Sequence, residues 1–229
     1  MELLDAMRTC GAGNAYRPEP VPEAVFYAAI EAARFGPQGG NRQPVRFLVV
    51  TDPGAKRQLG EWYLEPWRAY MAAARAQRGG IEAASGDHKS TDIGGDPAKV
   101  EAHLNRVNAF AESFGTLPAI VVVCAQLDAT HPTDTDLGRL SIVGGASVYP
   151  VMQNFCLALR DHGVATRVTT LLCAYEPQVK ELLGIPRELS TAAHVAAGYP
   201  AHGFPTALSR RPVEQMGFLD SFDRPLRPD

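Results

Sequence analysis

The sequence predicts an α+β fold in which helices flank a mixed central sheet. Three observations carry this expectation. The compact apolar run from Leu117 to Ala125 reads as a buried strand. The mostly apolar stretch from Asp136 to His162 reads as one long helix, buried in a core or a subunit interface. The element order is helix, strand, helix, helix, strand, long helix, strand, helix, strand, with no regular βαβ alternation.

The first helix opens at Val21-Pro22-Glu23, with proline early and an acid in the first turn. Val25, Ala28, Ala29, Ala32 and Ala33 give its apolar stripe, and Gly36-Pro37 ends it. Val45 to Val50 reads as a strand. Pro53 opens a second helix that runs through Tyr70 to Ala76. Gly79 to Asp96, rich in Gly, Ser and Asp, reads as a mobile loop, and Pro97 to Phe114 as another helix. Thr130 to Asp136 is a polar turn region ahead of the long helix. Thr166 to Leu171 is β-rich, Glu176 to Leu183 is a short helix ending at Gly184, and Ala192 to Tyr199 is the last strand. Beyond Pro200, regular signals occur only near Pro212 to Met216. Leu208, Phe218, Leu219 and Phe222 give this tail apolar anchors for wrapping on a partner subunit. With no internal repeat or composition boundary, residues 1–229 read as one domain. It carries an excursion at about 60–111 and a tail at about 200–229.

Composition narrows the function classes. The chain has 229 residues, 45% hydrophobic and 21% charged, as expected of a folded soluble protein. Its net charge of −3 gives no reason to expect nucleic acid. Cys10, Cys124, Cys156 and Cys173 are widely spaced and suit neither a zinc site nor a disulfide framework. Cys124 and Cys156 lie in apolar runs and read as buried thiols. Ile142 to Leu159 is apolar, but Gly144, Gly145, Ser147, Pro150, Gln153 and Asn154 argue against lipid exposure. No signal peptide is expected, so a cytoplasmic protein without a membrane span is the default.

The chemistry-bearing motifs are few. There is no dinucleotide glycine motif, Walker A sequence, H-E-x-x-H or G-x-S-x-G. The six histidines are scattered without metal-ligand spacing, so no metal is expected. The informative segment is Pro37-Gln38-Gly39-Gly40-Asn41-Arg42-Gln43-Pro44. Two adjacent glycines admit close backbone approach, and Asn41, Arg42 and Gln43 present amide and guanidinium groups side by side. The segment reads either as a helix-ending turn or as the edge of a flat, polar-rimmed ligand. Further backbone-approach points are Gly163 to Thr170, Gly198-Tyr199-Pro200 and Ser209-Arg210-Arg211-Pro212. Trp62, Tyr63, Trp67 and Tyr70 read either as a substrate-stacking lid or as helix packing on the core. Arg68 and Arg106 read as solvated charges.

Taken together and in this order, these motifs resemble the flavin-dependent nitroreductase family over nearly the whole chain. Residues Arg17 to Pro22 look like the entry to that family's second helix. Ala33 to Pro44 look like its flavin-edge loop, and Asn154 to Gly163 like its central dimer helix. Gly198-Tyr199-Pro200, followed by Arg210-Arg211-Pro212, look like its closing strand and phosphate-binding tail. The resemblance implies an intertwined homodimer that binds FMN at each of two subunit interfaces. It also implies reduction by NAD(P)H and ping-pong turnover with nitroaromatic, quinone or similar conjugated acceptors. No catalytic side chain is implied, because the flavin carries the chemistry. On this likeness Gln38, Gly39, Gly40, Asn41 and Gln43 serve the flavin edge or ribityl chain, and Thr169 and Thr170 line the ring's other side. Arg210 meets the phosphate.

The sequence departs from the family at its N-terminus, where Gly11 and Asn14 stand at positions that usually carry phosphate-binding arginines. Replacement candidates are Arg8, Arg42, Arg210 and Arg211, with Gly11 and Gly13 as a backbone anion nest. Gln38 stands where many members carry serine. Two alternatives stay open at this point: a flavin or small-molecule binding protein without turnover, and a specialised flavin dehydrogenase or dehalogenase.

Overall fold

The computed structural model describes residues 1–76, 97–208 and 210–228. The helices are α1 (Leu3–Thr9), α2 (Glu23–Ala33), α3 (Pro53–Ala76), α4 (Pro97–Glu112), α5 (Tyr149–Asp161) and α6 (Glu176–Leu183). The strands are β1 (Val45–Val50), β2 (Ala119–Gln126), β3 (Ala165–Thr169) and β4 (Leu189–Gly198). The expected loop at Gly79 to Asp96, with His88, lies outside the described residues, as does Ser209.

The strands form one sheet in the order β1-β2-β4-β3, and every neighbouring pair is antiparallel. This corrects the expected mixed sheet. Among the described residues α3 and α4 lie between β1 and β2, as expected, and the register shows β2 running opposite to both β1 and β4. Parallel pairing among the described residues is limited to the bridge between Ala12 and Thr166, on the outer edge of β3.

β2 is buried on both faces, which is why its sequence is continuously apolar. Ala119, Val121, Val123 and Ala125 face a core built with Phe26 and Ala29 of α2 and Phe155 and Leu159 of α5. Ile120, Val122 and Cys124 face a second core with Leu59, Tyr63 and Trp67 of α3 and Phe110 of α4. Burial on both faces of one strand supplies the main driving force, at about 25 cal/mol per Å² of apolar surface covered.

The long helix expected from Asp136 begins instead at Tyr149. The buried Asp134 carboxylate accepts hydrogen bonds from Arg139 Nη1 (2.7 Å), Ser141 Oγ (2.6 Å) and the Ile142 amide (3.0 Å). These bonds hold the following residues in turns, and Gly138 adds a left-handed φ of 66°. Pro150 then sits in the first turn of α5, where it sets the helix start. Sequence reasoning also missed α1, whose Leu3, Leu4 and Met7 are exposed and whose one buried residue is Ala6. An apolar stripe of that kind has no core to point to.

The tail first packs on its own chain. Tyr16 bridges to Pro200, the Ala201 amide donates to the Ala15 carbonyl (3.0 Å), and the Arg160 guanidinium lies 3.6 Å from the Phe204 ring centre. Gly11 admits this contact, because a Cβ there would stand 2.9 Å from Leu208 Cδ2. Farther on, the chain folds on itself, with the Leu226 amide donating to the Gly217 carbonyl (2.9 Å) and Phe222 left 87% exposed.

Candidate active site

Two clefts and one edge segment hold the residues singled out from the sequence. The first cleft lies at the end of α2. Gly36 lets that end approach α5, since a Cβ there would be 2.9 Å from the Val151 Cα. Gly39–Asn41 then forms one 3-10 turn, and the Gly39 amide donates to Ser147 Oγ at 3.0 Å. Gly40, Asn41 and Gln43 all have left-handed backbone, at φ 61°, 51° and 51°. Asparagine tolerates this conformation, but glutamine does not favour it, and such residues store of order 1–3 kcal/mol each. Strain of this kind clusters where a loop is shaped for a ligand. The Asn41 backbone amide donates to the Gln38 carbonyl (2.9 Å), but among the described residues the Asn41 side-chain amide and the Arg42 guanidinium make no hydrogen bond or ion pair. The cleft has a volume of about 420 Å³ and is lined by Gln38, Gly39, Arg42, His131, Gly144 and Ser147.

The second cleft, of about 290 Å³, is lined by Tyr63, Trp67, Tyr70, Arg167, Thr169 and Thr170. Thr169 Oγ1 donates to the Tyr63 hydroxyl at 3.4 Å. The Tyr63 ring stacks on Phe114 with centroids 4.1 Å apart, which fixes the wall. Burial pushes the Tyr63 phenol pKa up, so it stays a neutral donor and acceptor. Tyr63 and Trp67 are core residues as well as cleft walls, and Tyr70, 56% exposed, stands at the rim. Trp62 does not line this cleft; it stacks on Tyr175 with ring centres 6.2 Å apart. Arg68 and Arg106 are exposed, as expected.

Sequence reasoning missed Arg167. It lines this cleft, lies over the Phe110 ring (4.1 Å to its centre) and donates to Asn14 Oδ1. The signal was present: β3 reads Ala-Thr-Arg-Val-Thr, and a basic residue two before Thr169 shares its face. His194 lies opposite Thr169 in the β3–β4 register; it is fully buried, with neither ring nitrogen hydrogen-bonded. Burial lowers its pKa to about 4, so the ring is neutral.

The edge segment is the N-terminal strand beside β3. The Gly11 amide donates to the Thr9 carbonyl and the Gly13 amide to the Thr166 carbonyl, both at 2.9 Å. Those donors are spent, so the expected anion nest at Gly11 and Gly13 does not form. Asn14 is engaged by Arg167, and its Nδ2 donates to the Ala12 carbonyl at 3.4 Å. Leu208 packs on Gly11, so the chain leading to Arg210 passes this segment; Arg210 and Arg211 are exposed.

β1 and β3 are the two edges of the sheet, three strand spacings or about 14 Å apart. Within one protomer, the Gln38–Gln43 loop and Arg42 stand at one edge, while Thr169, Thr170, Gly11 and Asn14 stand at the other. Among the described residues, no cluster of three His, Cys, Asp or Glu side chains stands ready for a metal, and no helix is long and apolar enough to cross a membrane.

Comparison with known proteins agrees with this frame. The nitroreductase family model matches residues 13–199. An NADH dehydrogenase of Thermus thermophilus is 28% identical over 205 residues, covering 88% of this chain and 87% of that protein. Iodotyrosine deiodinase 1 of Rattus norvegicus is 26% identical over 201 residues, covering 86% of this chain and 62% of that one. Among solved structures, a BluB-like flavoprotein from Clostridium difficile superposes with a TM-score of 0.67 at 16% identity, covering 96% of this chain and 100% of the other. The FMN and NADPH-dependent nitroreductase NfnB from a Sphigopyxis strain superposes at 0.65 and 17% identity, covering 97% and 100%. At these identities the superpositions speak for the fold. The family match takes in the strained loop, both edge strands and Thr169–Thr170, and the chain belongs to the nitroreductase family of oxidoreductases.

Proposed function

We propose that this protein is an FMN-dependent NAD(P)H oxidoreductase that reduces nitroaromatic, quinone or similar conjugated acceptors by ping-pong turnover. The observation that carries the reading is the Gly39–Gln43 loop: a strained backbone holding a side-chain amide and a guanidinium that nothing among the described residues satisfies. Such a row suits the donor and acceptor rim of a flat heterocycle. The remaining residues fit FMN as well. Tyr63 and Trp67 offer an apolar wall, Thr169 and Thr170 offer hydroxyls, and Arg210 offers a cation for the phosphate.

Bound FMN would supply the hydride chemistry. The chain's own work is then positioning and exclusion. Gln38, Gly39, Gly40, Asn41 and Gln43 hold one rim, and Thr169 and Thr170 hold the opposite side. The Tyr63–Phe114 stack keeps water from the wall. Tyr70, at the open rim, is placed to stack on whichever conjugated molecule enters, first the nicotinamide and then the acceptor.

Because the loop and the threonine pair stand at opposite sheet edges, one slot needs a loop from a second copy. The reading therefore includes a homodimer with two sites. Leu140 (90% exposed) and Ile142 (79% exposed) are apolar surface available to it. It treats residues 1–229 as one domain, with about 60–111 as a lid over the slot and about 200–229 as a wrapping tail. It also places the protein in the cytoplasm. The similarity to iodotyrosine deiodinase 1 favours halogenated aromatics as a second acceptor class. The test is the spectrum and mass of the cofactor that copurifies. Yellow protein releasing FMN is expected; colourless protein that takes up no added FMN would end this reading.

A further inference from the structure

We propose that Arg167 is a cofactor-anchoring residue, supplying from β3 the positive charge that meets an anionic group of the bound flavin. The inference rests on the flavin reading above and adds a residue to it.

The guanidinium is half-buried, and its five donors are poorly used. One bond goes to the Asn14 side-chain carbonyl, a neutral acceptor, and the flat face lies on Phe110. No carboxylate stands within 4.0 Å among the described residues. Burial pushes the phenols of nearby Tyr63 and Tyr16 up, so neither offers a counter-charge. Burial pulls the Arg167 pKa down, the sign of a cation short of compensation. A half-buried charge without a partner opposes folding, and a bound anion removes that cost.

Geometry says where the anion sits. Arg167 and Thr169 are two apart on β3, so their side chains leave the same face, and both line the aromatic cleft. A ligand resting against Thr169 therefore meets the guanidinium fork. Phe110 and Asn14 hold that fork in a fixed plane, and a planar fork matches a phosphate, or the pyrimidine edge of a flavin that gains charge on reduction. The replacement cations sought at Arg8, Arg42, Arg210 and Arg211 are thus joined by one that already reaches the Asn14 side chain.

The test is a fluorescence titration of full-length apoprotein with FMN and, separately, riboflavin. Arg167→Met is expected to raise the FMN dissociation constant at least tenfold. Adding Asn14→Arg to that variant returns a guanidinium from the neighbouring strand and is expected to recover most of the affinity. Equal losses for FMN and riboflavin assign Arg167 to the ring edge, and a loss confined to FMN assigns it to the phosphate. Should Arg167→Met not fold, judged by circular dichroism, Arg167→Gln carries the test, because it can keep the Asn14 bond without the charge. A folded variant that binds FMN with the wild-type constant overturns the role of Arg167 alone. Wild-type protein that binds neither compound overturns the flavin reading itself.

Discussion

Gly60→Ala tests whether the seating of α3 sets the wall of the aromatic cleft. Gly60 faces Gly115, and a methyl group there would stand 2.6 Å from both the Cα and the N of that residue. Ordinary contact begins near 3.4 Å, so the helix must withdraw by about 0.8 Å. The obstacle is backbone, which yields less readily than a flexible side chain. Two effects oppose each other. Replacing glycine inside a helix gains roughly 0.5–1 kcal/mol. Overpacking a close contact costs about 1–3 kcal/mol. Because the clash is with backbone at 2.6 Å, the cost lies in the upper part of that range, about 2–3 kcal/mol, and against a gain of up to about 1 it leaves a loss of about 1–2 kcal/mol. In a chain of this size that lowers the melting temperature by roughly 2–8 °C. The same withdrawal loosens the stack of Tyr63 on Phe114, now 4.1 Å, and with it the wall beside Thr169. Thermal melting of the purified variant reads the result. A Gly60→Ala protein that melts at or above the wild-type temperature would refute the reasoning, because propensity alone would then have decided.

Three further outcomes follow from the same structure. Arg210→Ala is expected to weaken FMN binding more than tenfold, about 1.4 kcal/mol or more, in a fluorescence titration; an unchanged constant removes Arg210 from the site. Hydrogen bonds from Ser141, Ile142 and Arg139 hold the Asp134 carboxyl down to about 2, below its unfolded value near 3.9. The stability this gives the 134–147 turn is full above about pH 4 and is lost as pH falls from there through about 2. The Ile142 amide should lose hydrogen-exchange protection in that window, and a protection factor constant down to pH 2 would contradict the pinning. Sedimentation at micromolar concentration should return a dimer, and a monomer would leave the two half-sites unjoined.

Much of the fold was legible because its periodicities are strong. The β2 run and the helix ending at Gly184 both sit where pattern and punctuation placed them, since burial on two faces and a left-handed cap write themselves into residue type. The start of α5 was not legible. Leu137, Leu140 and Ile142 look like core residues in sequence, yet they are exposed on a turn held by one carboxylate, an interaction that leaves no periodic trace. The geometry of the candidate site was half legible. Glycine pairs and amide rows announce the Gln38–Gln43 loop, and the threonines announce the β3 end. Arg167 could have been found from the face it shares with Thr169 on β3, whereas the stacking of Trp62 on Tyr175 depends on tertiary packing and emerged only in three dimensions. The nest expected at Gly11 and Gly13 failed for a similar reason: pairing with β3 consumes an amide that sequence alone leaves free.

The central claim is that electrons pass from a nicotinamide to a conjugated acceptor through FMN held by this chain. Anaerobic titration of the FMN-loaded protein with NADH and with NADPH tests it most directly, followed by addition of a quinone or nitroaromatic. The account predicts that at least one nicotinamide bleaches the flavin absorbance and that the acceptor restores it. Bound FMN that keeps its full absorbance with excess NADH and NADPH would contradict the account and leave a binding protein of the same fold.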